Sequence, residues 1–347
     1  MKNSISVVIP TYNRSGLVKR AVESVLSAIS LGDEVIVIDD GSTDDTTEVL
    51  RPYGDKIRYV RTENSGLNSA RDLGVQLSRC PLVAFLDSDD EWLTDKLYIQ
   101  RAVMGAFPDA VFCFSDLLSR HHDGKISHNV LAIWSSYPWV GYGDKKRNLN
   151  EILGPGTSFS SIAHTPEGQE DFSVHMGDIY PILMEVYYVW ACTIIVRKAA
   201  AGASFRFARD QHQICEDWEC FARLAKAGPA VYINCELAVQ NVHTGPRLTD
   251  VEDIVQATER IKLLNRVWGA DETFMRAHSL RFQSVLKAQH LRRAKYLIKE
   301  GRMREAREDL RIAGGPMLYR LLAGLPSSFV NEIFSMRRKL LNVMRNR

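Results

Sequence analysis

Leu82-Val83-Ala84-Phe85-Leu86-Asp87-Ser88-Asp89-Asp90-Glu91 sets four carboxylates in five residues directly after an unbroken apolar run. The run 82–86, bounded by Pro81, reads as a buried strand. A buried strand that ends in acids delivers them to the carboxyl edge of a sheet, where open α/β sheets bind ligands. Asp87 and Asp89, at alternate positions, either share one hard divalent cation or divide between a cation and a sugar hydroxyl. Asp, Ser and Glu equally suit the start of a helix. The triplet alone does not choose between these readings.

The pattern repeats on either side. Ile5-Ser6-Val7-Val8-Ile9 reads as a strand ended by Pro10, which lacks a donor. Over 15–30, Leu17, Val18, Ala21, Val22, Val25, Leu26 and Ile29 fall on one helical face. Glu34-Val35-Ile36-Val37-Ile38 is a second apolar strand closed by Asp39-Asp40-Gly41-Ser42, after which Asp44 or Asp45 caps a short helix. A third strand is expected over 57–61, helices over 68–78 and 95–106, and a further strand over 110–114. Strands alternating with helices imply a parallel sheet covered on both faces. Residues 117–189 mix His, Gly, Pro and aromatic side chains without sustained period and read as a long insertion over the sheet edge. Regular patterns resume over 190–197, in a helix near 216–227 and in a strand at 231–233. Beyond about residue 250 the pattern is helical, and 288–313, broken at Gly301, reads as an antiparallel helix pair.

An apolar content of 45% and a charged content of 25% over 347 residues place the chain among globular proteins. The net charge of +2 is unevenly spread: residues 281–347 carry 16 Lys/Arg against 5 Asp/Glu, leaving 28 against 37 before them. A basic tail on an acidic body suggests an anionic partner. Cysteines 80, 113, 192, 215, 220 and 235 form no C-x-x-C pair and no zinc-type spacing, so reduced thiols and a cytoplasmic location are expected. The chain enters a strand directly after Met-Lys-Asn-Ser, so no signal peptide is expected. No apolar run approaches the roughly 20 residues of a spanning helix, which leaves a soluble or peripheral protein.

In a parallel sheet, Pro10-Thr11-Tyr12-Asn13-Arg14, Asp39-Asp40-Gly41-Ser42 and Asp87-Ser88-Asp89 face one crevice. A nucleotide needs a face for its base, acceptors for ribose and base N–H groups, and a cation for its phosphates. Tyr12 offers the face, Asp40 the acceptor, and Asp87 with Asp89 the cation site; taken alone, Asp39-Asp40 reads rather as a turn with a helix cap. Ser6-Val7-Val8-Ile9-Pro10-Thr11-Tyr12-Asn13-Arg14, Val37-Ile38-Asp39-Asp40-Gly41-Ser42-Thr43-Asp44, Glu63-Asn64-Ser65-Gly66-Leu67-Asn68-Ser69-Ala70-Arg71-Asp72-Leu73-Gly74 and Phe85-Leu86-Asp87-Ser88-Asp89-Asp90 together resemble the signature blocks of family 2 glycosyltransferases. Their order and spacing carry the resemblance; no single block would.

The resemblance implies a GT-A nucleotide-diphospho-sugar transferase fold: an α/β domain with a mostly parallel sheet flanked by helices, here with a C-terminal helical extension. It implies a nucleotide-sugar-binding half over 1–116, an acceptor-binding and catalytic-base half over 117–249, and a basic helical extension over 250–347. Pro10, Thr11, Tyr12 and Arg14 fall where the family holds the base of the nucleotide, and Asp40 matches its base-contacting acid. Asn64, Gly66, Asn68 and Arg71 lie in the loop and helix start beside the nucleotide. Asp87, Ser88 and Asp89 match the D-x-D motif, whose first acid contacts ribose or metal and whose second ligates Mn²⁺ or Mg²⁺ on the diphosphate. A divalent ion neutralises the leaving diphosphate as a Lewis acid.

Transfer to a hydroxyl also needs a base, contributing about 10²–10⁴-fold. Cys215-Glu216-Asp217-Trp218-Glu219 resembles the family's Glu-Asp motif, which implies Asp217 as base and Glu216 as a supporting or metal-side carboxylate; by itself the motif reads as an acidic helix start. Gln240-Asn241-Val242-His243 resembles the family's Arg-x-His element, with Gln-Asn in place of the usual Arg, and implies His243 as a metal or diphosphate ligand. His121, His122, His128, His164, His175 and His212 show no ligand-like pairing. The Q-x-x-R-W element of processive synthases is absent, so one sugar per encounter is expected.

The expectation is thus an inverting transfer from a nucleotide sugar, most often a UDP-sugar, to a glycan, glycolipid or other hydroxyl acceptor in surface polysaccharide or glycolipid synthesis. In the tail, Met317-Leu318-Tyr319-Arg320-Leu321-Leu322 and residues 329–343, with Arg337, Arg338 and Lys339, fit either an interfacial helix on an anionic membrane, at the inner face of the plasma membrane, or a helix packed on the protein. Nucleic acid is not expected, because no reader motif is present. Two other readings stand beside this one. A sugar nucleotidyltransferase would carry an early Gly-rich, Arg-containing loop, which 9–16 lacks. A non-catalytic nucleotide-sugar-binding scaffold has no need of both Asp89 and Asp217.

Overall fold

A computed structural model describes residues 3–131, 149–207, 214–243, 245 and 251–326. The chain divides into two units, Met1–Pro246 and Arg247–Arg347. Among the described residues of the first, one sheet takes in β1 (Ile5–Thr11), β2 (Glu34–Asp39), β3 (Arg58–Arg61), β4 (Leu82–Phe85), β5 (Glu91–Trp92), β6 (Phe112–His121), β7 (Ile126–Ser127), β8 (Thr157–Ser158), β9 (Ser173–Gly177), β10 (Ile195–Arg197) and β11 (Ala230–Val242). Their order is β3-β2-β1-β4-β10-β6-β11-β9-β8, with β5 on β11 and β7 on β6.

β3, β2, β1 and β4 are mutually parallel, as the alternating pattern implies. Strands covered on both faces are apolar throughout, and β1 and β4 are buried at every position. The helices Ser15–Ala28, Leu67–Leu77 and Lys96–Ala106 join the early strands. Gly74 lets the second of these lie close on the sheet, since a Cβ there would stand 2.2 Å from Val8 Cγ1. Pro10 does not end the first strand as expected; it pairs with Ile38 inside β1. Leu86 N–H bonds to the Val8 carbonyl, so Val8 and Pro10 both turn their backbone groups toward β4. The missing N–H of Pro10 therefore lies beyond the end of β4 and costs no ladder bond.

β10 breaks the parallel run by lying antiparallel to both β4 and β6. β6 ends at the carboxyl edge of the sheet, and a chain that stays at that edge can only re-enter the sheet in the opposite direction. The strand expected at 110–114 continues to His121, and that at 231–233 to Val242. Asp116 breaks the apolar run in β6, yet it is satisfied in place, accepting N–H bonds from Leu117 (2.7 Å) and Leu131 (3.1 Å). The stretch read as irregular holds β7, β8 and β9, and β9 pairs with β11. Strands of two to five residues carry too little period to stand out.

In the second unit, the helices Asp253–Leu264, Glu272–Lys299, Met303–Ala313 and Met317–Gly324 follow one another. The expected helix pair turns at Gly301, whose φ of +76° is left-handed. Ile254, Ala294, Leu297, Ile298, Met303, Ala306, Leu310 and Ala323 form its core. Asp309 is clamped there by His290 (2.7 Å) and by both prongs of Arg293 (2.7 Å each). Residues 329–343, with Arg337, Arg338 and Lys339, lie outside the described residues.

Candidate active site

The pairings Thr11 with Asp39 and Val8 with Phe85 bring the ends of β1, β2 and β4 to one edge. The first two ends are tied together: Asn13 N–H donates to Ser42 Oγ (2.9 Å), and Thr43 N–H to Asn13 Oδ1 (2.7 Å). Asp39 is a turn former, accepting from Ser42 N–H (2.8 Å) and from the Tyr59 hydroxyl. Asp40 uses both oxygens on the next loop, accepting from Ser65 N–H and Gly66 N–H at 2.8 Å each. Gly41 has a φ of +81°, and a Cβ there would meet Asn64 N at 2.8 Å. This close approach sets Asn64 and Gly66 at the start of helix Leu67–Leu77, with Asn68 buried in its first turn. Tyr12 leaves its ring exposed, whereas Pro10 and Thr11 are buried. The Thr11 hydroxyl has no hydrogen-bond partner among the described residues.

The acids after β4 face opposite cations. Asp87 Oδ1 accepts from Arg71 Nη2 at 2.6 Å, and Arg71 Nη1 reaches Glu216 Oε1 at 3.2 Å. Arg71 is 2% exposed and lies 5.7 Å from the centroid of Phe207. Burial opposes its charge, but Asp87, Glu216 and Asp217 outweigh that and hold it more firmly protonated. Asp89 Oδ2 is shared by Arg14 Nη1 at 2.7 Å and His243 Nε2 at 3.0 Å. Burial would raise the Asp89 pKa; the His243 hydrogen bond and the Arg14 charge bring it below the usual carboxylate range. Ser88 is buried between the two acids.

Asn241, two residues before His243, donates to the Asp89 carbonyl at 2.9 Å, and its own N–H reaches Asp90 Oδ1 at 3.2 Å. It thereby fastens β11 to the acidic loop. Asp90 is buried, and burial, with Asp89 and Asp87 beside it, pushes its pKa well up.

Asp217 and Glu216 open the helix Glu216–Ala227, behind Cys215 at a left-handed φ of +67°. Asp217 Oδ1 accepts the Trp218 N–H at 2.7 Å, and Oδ2 accepts the Tyr187 hydroxyl. Burial pushes Glu216 up to about 8, helped by the neighbouring Asp217 charge. Burial also raises Asp217, while Arg71, the Tyr187 hydroxyl and the Trp218 N–H work against it. Two adjacent carboxyl groups thus have different surroundings, the pattern that separates acid from base roles.

Among the described residues, no three His, Cys, Asp or Glu side chains form a metal cage. Asp89 and His243 do converge, and a carboxylate with an imidazole is a donor pair that suits Mn²⁺. The donor set fits an ion that takes its other ligands from a diphosphate and water. Arg14 Nη1 now lies against both donors, 2.7 Å from Asp89 Oδ2 and 3.2 Å from His243 Nε2, and Asp87 is held by Arg71.

Residues 6–160 match the family described as Glycosyl transferase family 2. Over 180 residues the chain is 33% identical to an Escherichia coli UDP-Glc:α-D-GlcNAc-diphosphoundecaprenol β-1,3-glucosyltransferase, covering 50% of this chain and 69% of that protein. The chain belongs to glycosyltransferase family 2. This family 2 member is also 48% identical over 90 residues to a validoxylamine A glucosyltransferase from Streptomyces hygroscopicus subsp. jinggangensis. A glycosyltransferase from Rickettsia felis is 42% identical over 102 residues. The chain spans only 21% and 17% of the lengths of those two proteins, and 24% and 29% of its own length is matched. By structure, the family 2 fold aligns with S. aureus TarS 1-349 in complex with UDP-GlcNAc, at a TM-score of 0.56 and 14% identity, over 92% of this chain and 83% of that one. That likeness shows the GT-A fold.

The residues that sequence reasoning did not single out are Tyr187 and the bridging role of Asn241. Tyr187 lies in the stretch without sustained period, 30 residues from its partner, and Asn241 stands 152 from Asp89. No local pattern signals either contact.

Proposed function

We propose that the protein is an inverting glycosyltransferase that moves one sugar from a nucleotide-diphosphate sugar, a UDP-sugar in particular, to an acceptor hydroxyl. One observation carries the reading. Arg71 bridges Asp87, in the D-x-D triplet, to Glu216 beside Asp217, so one buried cation joins the donor acids to the candidate base. The names of relatives support the donor and acceptor classes: the E. coli protein is named for UDP-Glc and a diphosphoundecaprenol-linked sugar, and TarS is described with UDP-GlcNAc.

In this reading Tyr12 offers its ring to the base of the nucleotide, and the Thr11 hydroxyl, without a partner among the described residues, and Arg14 line the same edge. Asp87 and Ser88 lie on the ribose side, and Asp89 with His243 would hold a Mn²⁺ or Mg²⁺ ion. Such an ion supplies charge neutralisation of the leaving diphosphate. The acceptor O–H bond breaks and its proton passes to Asp217. The acceptor oxygen bonds to the anomeric carbon as the carbon–oxygen bond to the diphosphate breaks, and the diphosphate leaves with its electron pair. Attack opposite the leaving group inverts the centre. Burial pushes Glu216 up to about 8, while Arg71, the Tyr187 hydroxyl and the Trp218 N–H work against the rise at Asp217, which favours Asp217 as the proton acceptor of the pair.

The acceptor is proposed as a glycan or glycolipid of surface polysaccharide synthesis, met at an anionic membrane. The net charge of 281–347 and the exposed Met317, Leu318 and Leu321 on the helix Met317–Gly324 support that setting. Among the described residues no helix is long and apolar enough to cross a membrane.

The test is a panel of UDP-glucose, UDP-galactose, UDP-GlcNAc, UDP-GalNAc, GDP-mannose and dTDP-rhamnose, each read by thermal shift with and without Mn²⁺ and by nucleotide release. Asp217→Asn is expected to keep Mn²⁺-dependent stabilisation by UDP and to lose about 10²–10⁴-fold in turnover. Turnover at the wild-type rate in Asp217→Asn would overturn the assignment of the base.

A further inference from the structure

We propose that Tyr187 is the positioning residue for Asp217, holding the carboxylate oriented and ionised for the acceptor hydroxyl. This rests on the reading of Asp217 as base. Tyr187 follows the short helix Tyr180–Leu183, and its hydroxyl donates to Asp217 Oδ2. The ring is walled by Trp190, 6.3 Å away at 27°, and by Trp218, 5.5 Å away at 45°. The wall is itself anchored, because Trp218 Nε1 donates to the Leu183 carbonyl at 2.7 Å. That bond ties the start of helix Glu216–Ala227 to the helix that leads to Tyr187. The phenol is therefore fixed at its ring as well as at its oxygen.

The surroundings of Asp217 give the hydroxyl its significance. The charged and titratable groups that bear on the carboxylate are Glu216 on its own helix, Arg71 from helix Leu67–Leu77, Asp87 after β4 and Tyr187 itself, with Cys220 one turn on. Burial, Glu216 and Asp87 disfavour the ionised form, while Arg71, the Trp218 N–H and Tyr187 favour it. Arg71 is already shared between Asp87 and Glu216, and the Trp218 N–H occupies Oδ1. The Tyr187 bond is the contribution that reaches Oδ2. Burial and the Asp217 charge push the Tyr187 pKa well above the ordinary phenol value, which keeps its hydroxyl a donor to the carboxylate.

A ring packed between two tryptophans would sit equally well as Phe, so a purely structural role predicts little from loss of the hydroxyl. Positioning predicts a specific change. Tyr187→Phe should keep Mn²⁺-dependent stabilisation by UDP and the KM for the donor found in the panel. Its kcat should fall about 10–100-fold, the scale of a hydrogen bond to a charged group. The acid limb of its kcat profile should move to higher pH, because the ionised carboxylate has lost a donor.

Site-specific 3,5-difluorotyrosine at position 187 supplies the second variant. It keeps the shape but donates more strongly, and should move the limb to lower pH. An unmoved acid limb in both variants, whatever the kcat, overturns the proposal while a dead Asp217→Asn leaves the base standing. If Asp217→Asn turns over like the wild type, the base reading falls first and takes this proposal with it. If Tyr187→Phe fails to fold, as read by loss of the UDP-induced thermal shift, the difluoro variant decides alone.

Discussion

Arg71→Met removes a buried guanidinium while keeping most of its apolar volume. Arg71 is 2% exposed and holds Asp87 at 2.6 Å and Glu216 at 3.2 Å, with Asp217 close enough to strengthen its charge. Deleting one partner of a buried ion pair costs about 3–5 kcal/mol, because the opposite charge remains without compensation. Against a typical total of about 5–15 kcal/mol, that is a large part of the stability of a domain. The loss should depend on pH, and its sign follows from the carboxyl groups. Glu216 stands at about 8 even with Arg71 in place and so adds to the deficit only above that pH, whereas Asp217, raised by burial but drawn back by Arg71, rises further without it. An acid with a folded pKa above its unfolded one binds more protons when folded, so stability falls as pH climbs from about 4 toward the folded value. The deficit of Arg71→Met should therefore be small near pH 5 and several-fold larger near pH 8. Urea denaturation of the full chain at the two pH values measures it. Arg71→Lys, a point charge that cannot fork to two carboxylates, should fall between. Equal deficits at pH 5 and pH 8, or a loss below about 1 kcal/mol at pH 8, would refute the bridging role.

Two further outcomes are expected. Gly74→Ala forces a methyl to within 2.2 Å of Val8 Cγ1, and should destabilise by about 1–3 kcal/mol through overpacking of helix Leu67–Leu77 on β1; unchanged stability in thermal unfolding would count against that contact. The full chain should float with phosphatidylglycerol vesicles at low salt, and exchange of Met317, Leu318 and Leu321 for Ser together should reduce flotation, at about 1.5–3 kcal/mol per large apolar side chain withdrawn from lipid. Equal flotation of the triple variant would show that this helix face takes no part.

The first four parallel strands were legible because their signals are local. β1, β2 and β4 are nearly continuous apolar runs, as strands covered on both faces must be, and each ends in polar residues that the parallel register brings to one edge. Asp40 shows how far such reading goes. Its sequence allowed a ligand acceptor or a turn, and the bonds its carboxylate accepts from the Ser65 and Gly66 N–H groups, 25 and 26 residues on, are signalled by neither. Lys96 reads as an ordinary helix lysine, yet it is buried, bonded to Gln100 and the Thr193 carbonyl, and drawn down to about 8 by burial. Nothing near it in sequence announces Thr193, 97 residues on. β10 is short and antiparallel, and its place between β4 and β6 depends on pairings about 80–115 residues apart. What remained hidden was decided by contacts between distant segments, not by period or composition.

That placement of β10 sets a timetable for synthesis. β3, β2, β1 and β4 can assemble once residue 85 has left the ribosome, but the far edge of β4 receives its partner only when Ile195–Arg197 emerges, about 110 residues later. At roughly 5–20 residues per second, the wait is on the order of 5–20 s. During that interval Leu82–Phe85, buried at all four positions in the finished sheet, presents an open apolar edge. The nascent chain is therefore most prone to wrong pairing in the window between β4 and β10, and a translation pause in that window would lengthen the exposure.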